Sequence, residues 1–406
     1  MFRSLSVPDY RLWAGGAIVS NVGTWMQRTA QDWIVLTQLT HHDAFAVGVT
    51  TALQFGPQLF LSPVSGLVAD RFPRRTILMV TQAVMGALGL ALGLLVVTGA
   101  ATLPEVYGFA LLLGVTGAFD APARQSFVSD LVGPDRVSNA VALNSASFNL
   151  ARLLGPAVSG LLTEVVGAGW VFLINAASFA AVLLALRAIH PREVAEVRRP
   201  PSRSLRDVGA GAATVAGRPD LLVVFGMVAV MGTFGLNFPI YASTMAVLFG
   251  HGATGYGLLS SALAVGAVAG ALLSARRSEP RFSLMIGASA LFAAGLLVGA
   301  VAPAYLVLAL ALPFVGVASQ TFMTTANGLV QLGVDAAVRG RVMALYLATV
   351  MGGTVIGGPV VGWVANVLGP REAMVVGALA GVVSAVVGLI RQHRTGTRPA
   401  VAAPQA

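Results

Sequence analysis

The chain is 406 residues long, 56% hydrophobic and only 10% charged, with a formal net charge of +9 and neither cysteine nor lysine. A soluble domain carries roughly 25% charged residues, so this composition excludes one water-soluble core. It fits many apolar segments of about 20 residues, each crossing a hydrocarbon layer about 30 Å thick.

Twelve spans are predicted, near 12–38, 45–69, 76–99, 104–123, 138–163, 168–189, 220–248, 254–275, 282–302, 304–327, 341–367 and 372–391. The first is too long and too polar in its middle for a cleaved signal, and it lacks a small-residue cleavage site. The hydrophilic stretch 190–219 reads as a cytoplasmic linker with a short interfacial helix around Ser204–Val215. The expected organisation is a six-helix half over 1–189, that linker, a second six-helix half over 220–391 and a polar cytoplasmic tail over 392–406. Glycines inside spans, such as Gly86, Gly89, Gly93, Gly266 and Gly270, are expected to let helices pack closely.

All 25 basic residues are arginines, and their placement explains the net charge. With both termini in the cytoplasm, every arginine but Arg28, Arg152 and Arg371 falls at that face, as the positive-inside rule requires. The charge therefore gives no evidence of nucleic-acid binding. It predicts a multi-pass protein of the cell membrane, a monomer in the lipid bilayer.

The absences speak against catalysis. Without cysteine there are no disulfides, thiol nucleophiles or thiolate metal sites, and without lysine there is no phosphate-loop lysine to serve a nucleotide-driven motor. His41, His42, His190, His251 and His393 all map to loops or tails, so an intramembrane hydrolase has no base. Neither an enzymatic activity nor a cofactor or metal is expected.

The chain also repeats itself at an offset of about two hundred residues. Gly155-Pro156 aligns with Gly358-Pro359, Ala142-Leu143 with Ala344-Leu345, and Gly167 with Gly369. Two parallel apolar copies imply a membrane protein of two halves. Transporters are the main class built that way, with the substrate path between the halves.

The loop after the second span reads Gly66-Leu67-Val68-Ala69-Asp70-Arg71-Phe72-Pro73-Arg74-Arg75. Its arginines suit a membrane anchor, but an anchor does not explain the aspartate among them. The segment resembles the G-x-L-A-D-R-x-G-R-R motif of the major facilitator superfamily, with Pro73 where the family usually has glycine. That resemblance implies a conformational latch of Gly66, Asp70, Arg71 and Arg74. Asp70 would cap the eleventh helix, and Arg74 would pair with an acid on the fourth, for which Asp120 is the expected partner. Gly155-Pro156-Ala157-Val158-Ser159-Gly160 is similar to the G-P-x-x-G-G motif of exporters in the same superfamily. A proline removes one helical hydrogen bond, so Gly155-Pro156 and Gly358-Pro359 are expected to kink their helices. The segments Gly23–Trp33, Phe119–Gln125 and Arg339–Tyr346 resemble the branch containing the enterobactin exporter and many drug and antibiotic exporters.

The first span is the most polar, with Asn21, Thr24, Trp25, Gln27, Arg28, Gln31 and Asp32 inside it. Charges near the bilayer centre cost roughly 3 kcal/mol on insertion scales and usually face protein or water. Arg28 and Asp32 are one turn apart. They form either a structural pair or a proton-coupling site in which Asp32 alternates between pairing and protonation. Arg152 either binds an anionic substrate group or pairs with Asp32. In the second half, Gln320, Thr324, Asn327 and Gln331 share one helix face, as do Thr233, Phe234, Asn237, Phe238 and Tyr241. Such amides either bridge helices or bind ligand. By resemblance, the first, fourth, seventh and tenth helices line the cavity, which would place these residues along its walls.

The reading is an all-α, twelve-span major facilitator fold that exports a hydrophobic or amphipathic small molecule (a drug, antibiotic or siderophore) in exchange for protons. An uptake symporter is the first alternative, against which the fifth-span motif argues. A membrane scaffold or sensor is the other, and the linker and tail are short for one.

Overall fold

The structure, a computed structural model, describes residues 3–189, 212–277 and 279–395, with the side chains of Pro63, Asp70, Ala336, Ala337 and Thr395 outside the description. A 3₁₀ turn, Arg3–Ser6, leads into α1 (Pro8–Ile34), which continues as a π-helical turn, Val35–Leu39. Then come α2 (Ala44–Arg71), α3 (Arg74–Val97), α4 (Leu103–Asp130), α5 (Val137–Val166) and α6 (Ala168–Ala188). After the linker, α7 (Pro219–Val230) runs through a π-turn, Met231–Gly235, into α8 (Phe238–Leu248). Next are α9 (Ala253–Ala275), α10 (Phe282–Ala300), α11 (Tyr305–Leu332), α12 (Ala336–Val367) and α13 (Pro370–Thr395). No strand occurs among the described residues. Of the expected interfacial helix, only 212–215 is described, and it is helical.

Ten of these segments are long and apolar enough to cross a membrane, with α7 and α8 counting as one. The α1 and α5 helices have the length, at 27 and 30 residues, but each carries polar and charged side chains along its middle. Two helices run a full turn or more past their expected ends with a new buried face. The α4 helix reaches Asp130 rather than 123, and α11 reaches Leu332 rather than 327. Hydropathy falls in both extensions, yet Phe127 and Val128, like Leu329 and Val330, are buried and keep one helical face in the core.

By packing, the chain forms two units. One comprises Met1–His41, Leu53–Arg203 and Gly252–Ser261; the other comprises His42–Ala52, Ser204–His251 and Ala262–Ala406. In the first, α1 packs on α5 and α6, and α3 packs on α4 and α6. In the second, the π-turn Met231–Gly235 packs on α12 and α13, and α10 packs on α11 and α13. The same pairing order recurs, as the sequence repeat implies.

Individual residues repeat as well. A Cβ on Gly114 would run into the carbonyls of Leu53 and Gln54, and one on Gly316 would run into the carbonyl of Leu263. Each position thus needs glycine for close helix approach. The turns joining α5 to α6 and α12 to α13 place Gly167 and Gly369 at φ 92° and 124°, conformations that L side chains rarely adopt.

The core of the first unit gathers at the start of α1, where Tyr10, Trp13 and Ala17 meet Leu78 of α3, Phe127 of α4, Ala140 of α5 and Val182 of α6. Trp13 meets Phe127 edge-on at 5.1 Å, and the Tyr10 hydroxyl donates to the Ala140 carbonyl at 2.9 Å. This packing fixes α1 and thereby the polar side chains of its second half.

Candidate functional site

Asp32 lies near the end of α1 and is 5% exposed. Its Oδ2 accepts a hydrogen bond from the Tyr256 hydroxyl of α9 at 3.0 Å. Its Oδ1 is buried and accepts none. Trp33, the next residue, stacks on Tyr256 with ring centres 6.1 Å apart, so the tyrosine is held by its ring as well as its hydroxyl. Neither Arg28 nor Arg152 forms an ion pair with Asp32.

Both arginines instead rest on aromatic faces. The Arg28 guanidinium lies 4.7 Å from the Phe55 ring centre and 5.3 Å from Trp25. Arg152 approaches the same Trp25 at 5.7 Å. Phe148, one turn before Arg152 on α5, meets Trp25 edge-on at 5.8 Å. The Gly155-to-Gly160 motif explains how α5 comes so close. A Cβ on Gly155 would sit 2.5 Å from the Trp25 Cβ, and the Ser159 hydroxyl donates to the Met26 carbonyl at 2.8 Å. Pro156 and Pro359 lie inside unbroken helices. Gly358 is packed against the backbone of Gly48.

Of the other first-span residues, Gln31 and Asn21 tie α1 to neighbouring helices, while Thr24 bonds within α1. Gln31 is fully buried, donates to the Val106 carbonyl at 3.3 Å and accepts from Gln54. Thr24 donates to the Ser20 carbonyl, and Asn21 accepts from Arg124 at 3.3 Å.

The expected pairing of Arg74 with Asp120 is corrected. Arg74 forms its ion pair with Asp130, at the end of the extended α4. Asp120, ten residues earlier in that helix, is 4% exposed and already has four donor contacts. It accepts from Thr81 Oγ1 at 2.8 Å, Gln82 Nε2 at 2.7 Å and Arg124 Nε at 2.8 Å, with Arg124 Nη2 at 2.7 Å. The hydropathy-based end at 123 concealed Asp130. The i,i+4 spacing of Asp120 and Arg124 was the available signal for their pairing. Arg75 donates to the Leu186 and Arg187 carbonyls at the end of α6, where a cation suits the free carbonyls of a helix C-terminus. Gly66 is half-buried within α2 and Arg71 is exposed, while the Asp70 side chain lies outside the described residues.

In the second unit, Asn237 donates to the Thr233 carbonyl at 2.7 Å and its Oδ1 is buried without a donor. Tyr241 donates to the Phe234 carbonyl, and Phe238 meets Tyr241 and Phe292 edge-on. Thr324 donates to the Gln320 carbonyl and lies 3.1 Å from Ser274 Oγ, and Asn327 accepts from Gln331. Gln320 sits beside Gly270. Sequence reasoning missed Tyr256, Phe55, Phe148 and Arg124; only Phe148 and Arg124 carried a signal, four residues from Arg152 and from Asp120 respectively.

A helical chain with ten membrane-length apolar segments and charged side chains inside its long helices is a multi-pass membrane protein of the transporter type rather than an enzyme. A family described as transmembrane secretion effector matches residues 4–403. The chain belongs to that family, within the major facilitator superfamily. Among curated relatives, it is 30% identical to the staphyloferrin A transporter of Staphylococcus aureus over 41% of this chain and 42% of that protein. It is 29% identical to an uncharacterised transporter, YfiS, of Bacillus subtilis over 40% and 37%. The chain thus spans about two fifths of those two relatives. It is 24% identical to the enterobactin exporter of Shigella flexneri over 83% of this chain and 80% of that one. Its fold matches a bacterial homologue of the human lysosomal transporter Spinster at TM-score 0.75, 15% identity and 98% and 99% coverage. It also matches the nucleoside transporter NupG at TM-score 0.72, 14% identity and 96% and 100% coverage.

Proposed function

We propose that this protein is a secondary active exporter of a hydrophobic or amphipathic small molecule, exchanging it for protons. It would work by alternating access of two six-helix halves, 1–189 and 220–391, with twelve spans in the cytoplasmic membrane and both termini in the cytoplasm. The observation that carries the coupling is Asp32, a buried carboxylate with one oxygen held by a single hydroxyl and the other accepting nothing. A carboxylate so placed can carry a proton on Oδ1 without breaking a bond, and membrane acids of this kind mark proton relays. The direction is supported by the family's description as a secretion effector, by the enterobactin exporter among the relatives, and by the Gly155–Gly160 motif. The Arg74–Asp130 pair, with Gly66, Asp70 and Arg71, is the proposed latch. The helix faces carrying Asn237, Phe238 and Tyr241, and Gln320, Thr324 and Asn327, are the proposed second-half walls of the path.

The test is accumulation of a panel of dyes, antibiotics and siderophores in cells with and without the protein. Export predicts lower accumulation of at least one class, restored by a protonophore. Higher accumulation would make the protein an uptake system.

A further inference from the structure

Arg28 and Arg152 converge on one indole, Trp25, and among the described residues neither forms an ion pair or donates a hydrogen bond. The nearest acid along the chain, Asp32, is taken by Tyr256. Two guanidiniums thus sit within long helices, one late in α1 and one halfway along α5, with no ion pair among the described residues; Asp32, one turn from Arg28, acts on it only through space. Other buried charge in this unit is treated differently: Asp120 and Arg124 neutralise each other and are saturated with donors and acceptors. Stacking on rings offsets part of the cost of an unpaired cation. The remainder calls for an anion.

The surroundings narrow that anion. Phe55 lies against Arg28, and Phe148, 48% exposed, offers an open ring beside Trp25. A guanidinium fork matches the geometry of a carboxylate or a pair of phenolate oxygens, and the aromatic faces match a ring.

We infer that Arg28 and Arg152, bracketing Trp25, form the binding site for an aromatic organic anion, and that such anions are the substrate class. This rests on the reading of the protein as a transporter. The arginines supply affinity, while Trp25, Phe55 and Phe148 select for a ring.

Three probes sharing one fluorophore separate charge from hydrophobicity: dansylglutamate (anionic), dansylamide (neutral) and dansylcadaverine (cationic). Binding is read by fluorescence on the full chain in phosphatidylcholine nanodiscs, with no gradient present. Dansylglutamate is expected to bind tightest. Arg28→Gln and Arg152→Gln should each weaken it about tenfold and leave dansylamide unchanged, while Arg→Lys at either position should restore part of the loss. Equal weakening of all three probes would make the arginines packing groups and overturn the proposal, as would tighter binding of dansylcadaverine. Abolition of dansylglutamate binding by phosphatidylglycerol in the nanodisc would assign the site to a lipid headgroup, which also overturns it. Transport in vesicles then tests the underlying reading separately. Selective binding without outward movement would sink the exporter, and outward movement of dansylcadaverine alone would sink the anion site.

Discussion

The Tyr256 hydroxyl donates to Asp32 Oδ2 at 3.0 Å, joining residues 224 positions apart in the chain. Tyr256→Phe removes the one donor to Asp32 among the described residues, and a buried acceptor left unpaired costs about 1–3 kcal/mol. The variant should therefore melt at lower temperature. The loss should shrink when Asp32→Asn is also present, since the charge is then gone; thermal unfolding of both singles and the double gives the coupling. Additive losses would mean the bond carries no energy.

Asp32→Asn should bind substrate yet fail to export it against a gradient. Because Arg28 forms no ion pair with Asp32, this single variant leaves the arginine in its aromatic seat. Normal protonophore-sensitive export by Asp32→Asn would move the coupling role to another acid.

Asp120 belongs to a saturated network spanning α1, α3 and α4 through Asn21, Thr81, Gln82 and Arg124. Asp120→Ala strands Arg124 together with Thr81 and Gln82, so the expected loss is about 3–5 kcal/mol. A thermal shift with detergent-solubilised protein measures it. Asp120→Asn, which keeps the acceptor, should lose less than Asp120→Ala.

Arg74→Ala and Asp130→Ala should each cut transport while the protein still reaches the membrane. The swap Arg74→Asp with Asp130→Arg should recover part of it, because the pair is only partly exposed, at 24% and 21% of each side chain. Full activity in both single variants would reduce the ion pair to a surface contact, where such pairs contribute roughly 0–1 kcal/mol.

Gly155→Val should fail to fold or melt far lower, since its first side-chain atom already meets the Trp25 Cβ. Overpacking of this kind costs about 1–3 kcal/mol. Gly108→Ala, where an added Cβ would meet nothing within 4 Å, is the control and should unfold no lower than the parent, since alanine favours a helix interior over glycine.

What the residues determined alone follows from local physics. Apolar runs mark helices because lipid demands internal backbone hydrogen bonding, and the repeat at Gly155/Gly358 and Gly167/Gly369 is visible because both copies need glycine at the same backbone positions. The same local reading stopped α4 near 123, where hydropathy falls, and so assigned Arg74 the wrong acid. Only the tertiary structure decided that Arg74 reaches Asp130, that Tyr256 holds Asp32, and that Arg28 turns to Trp25 and Phe55 rather than to the carboxylate one turn away. Those outcomes depend on the depth and rotation of one helix against another. They are set by the summed packing of many side chains and small contacts such as Gly114 on Leu53, and no local spacing of charges records them.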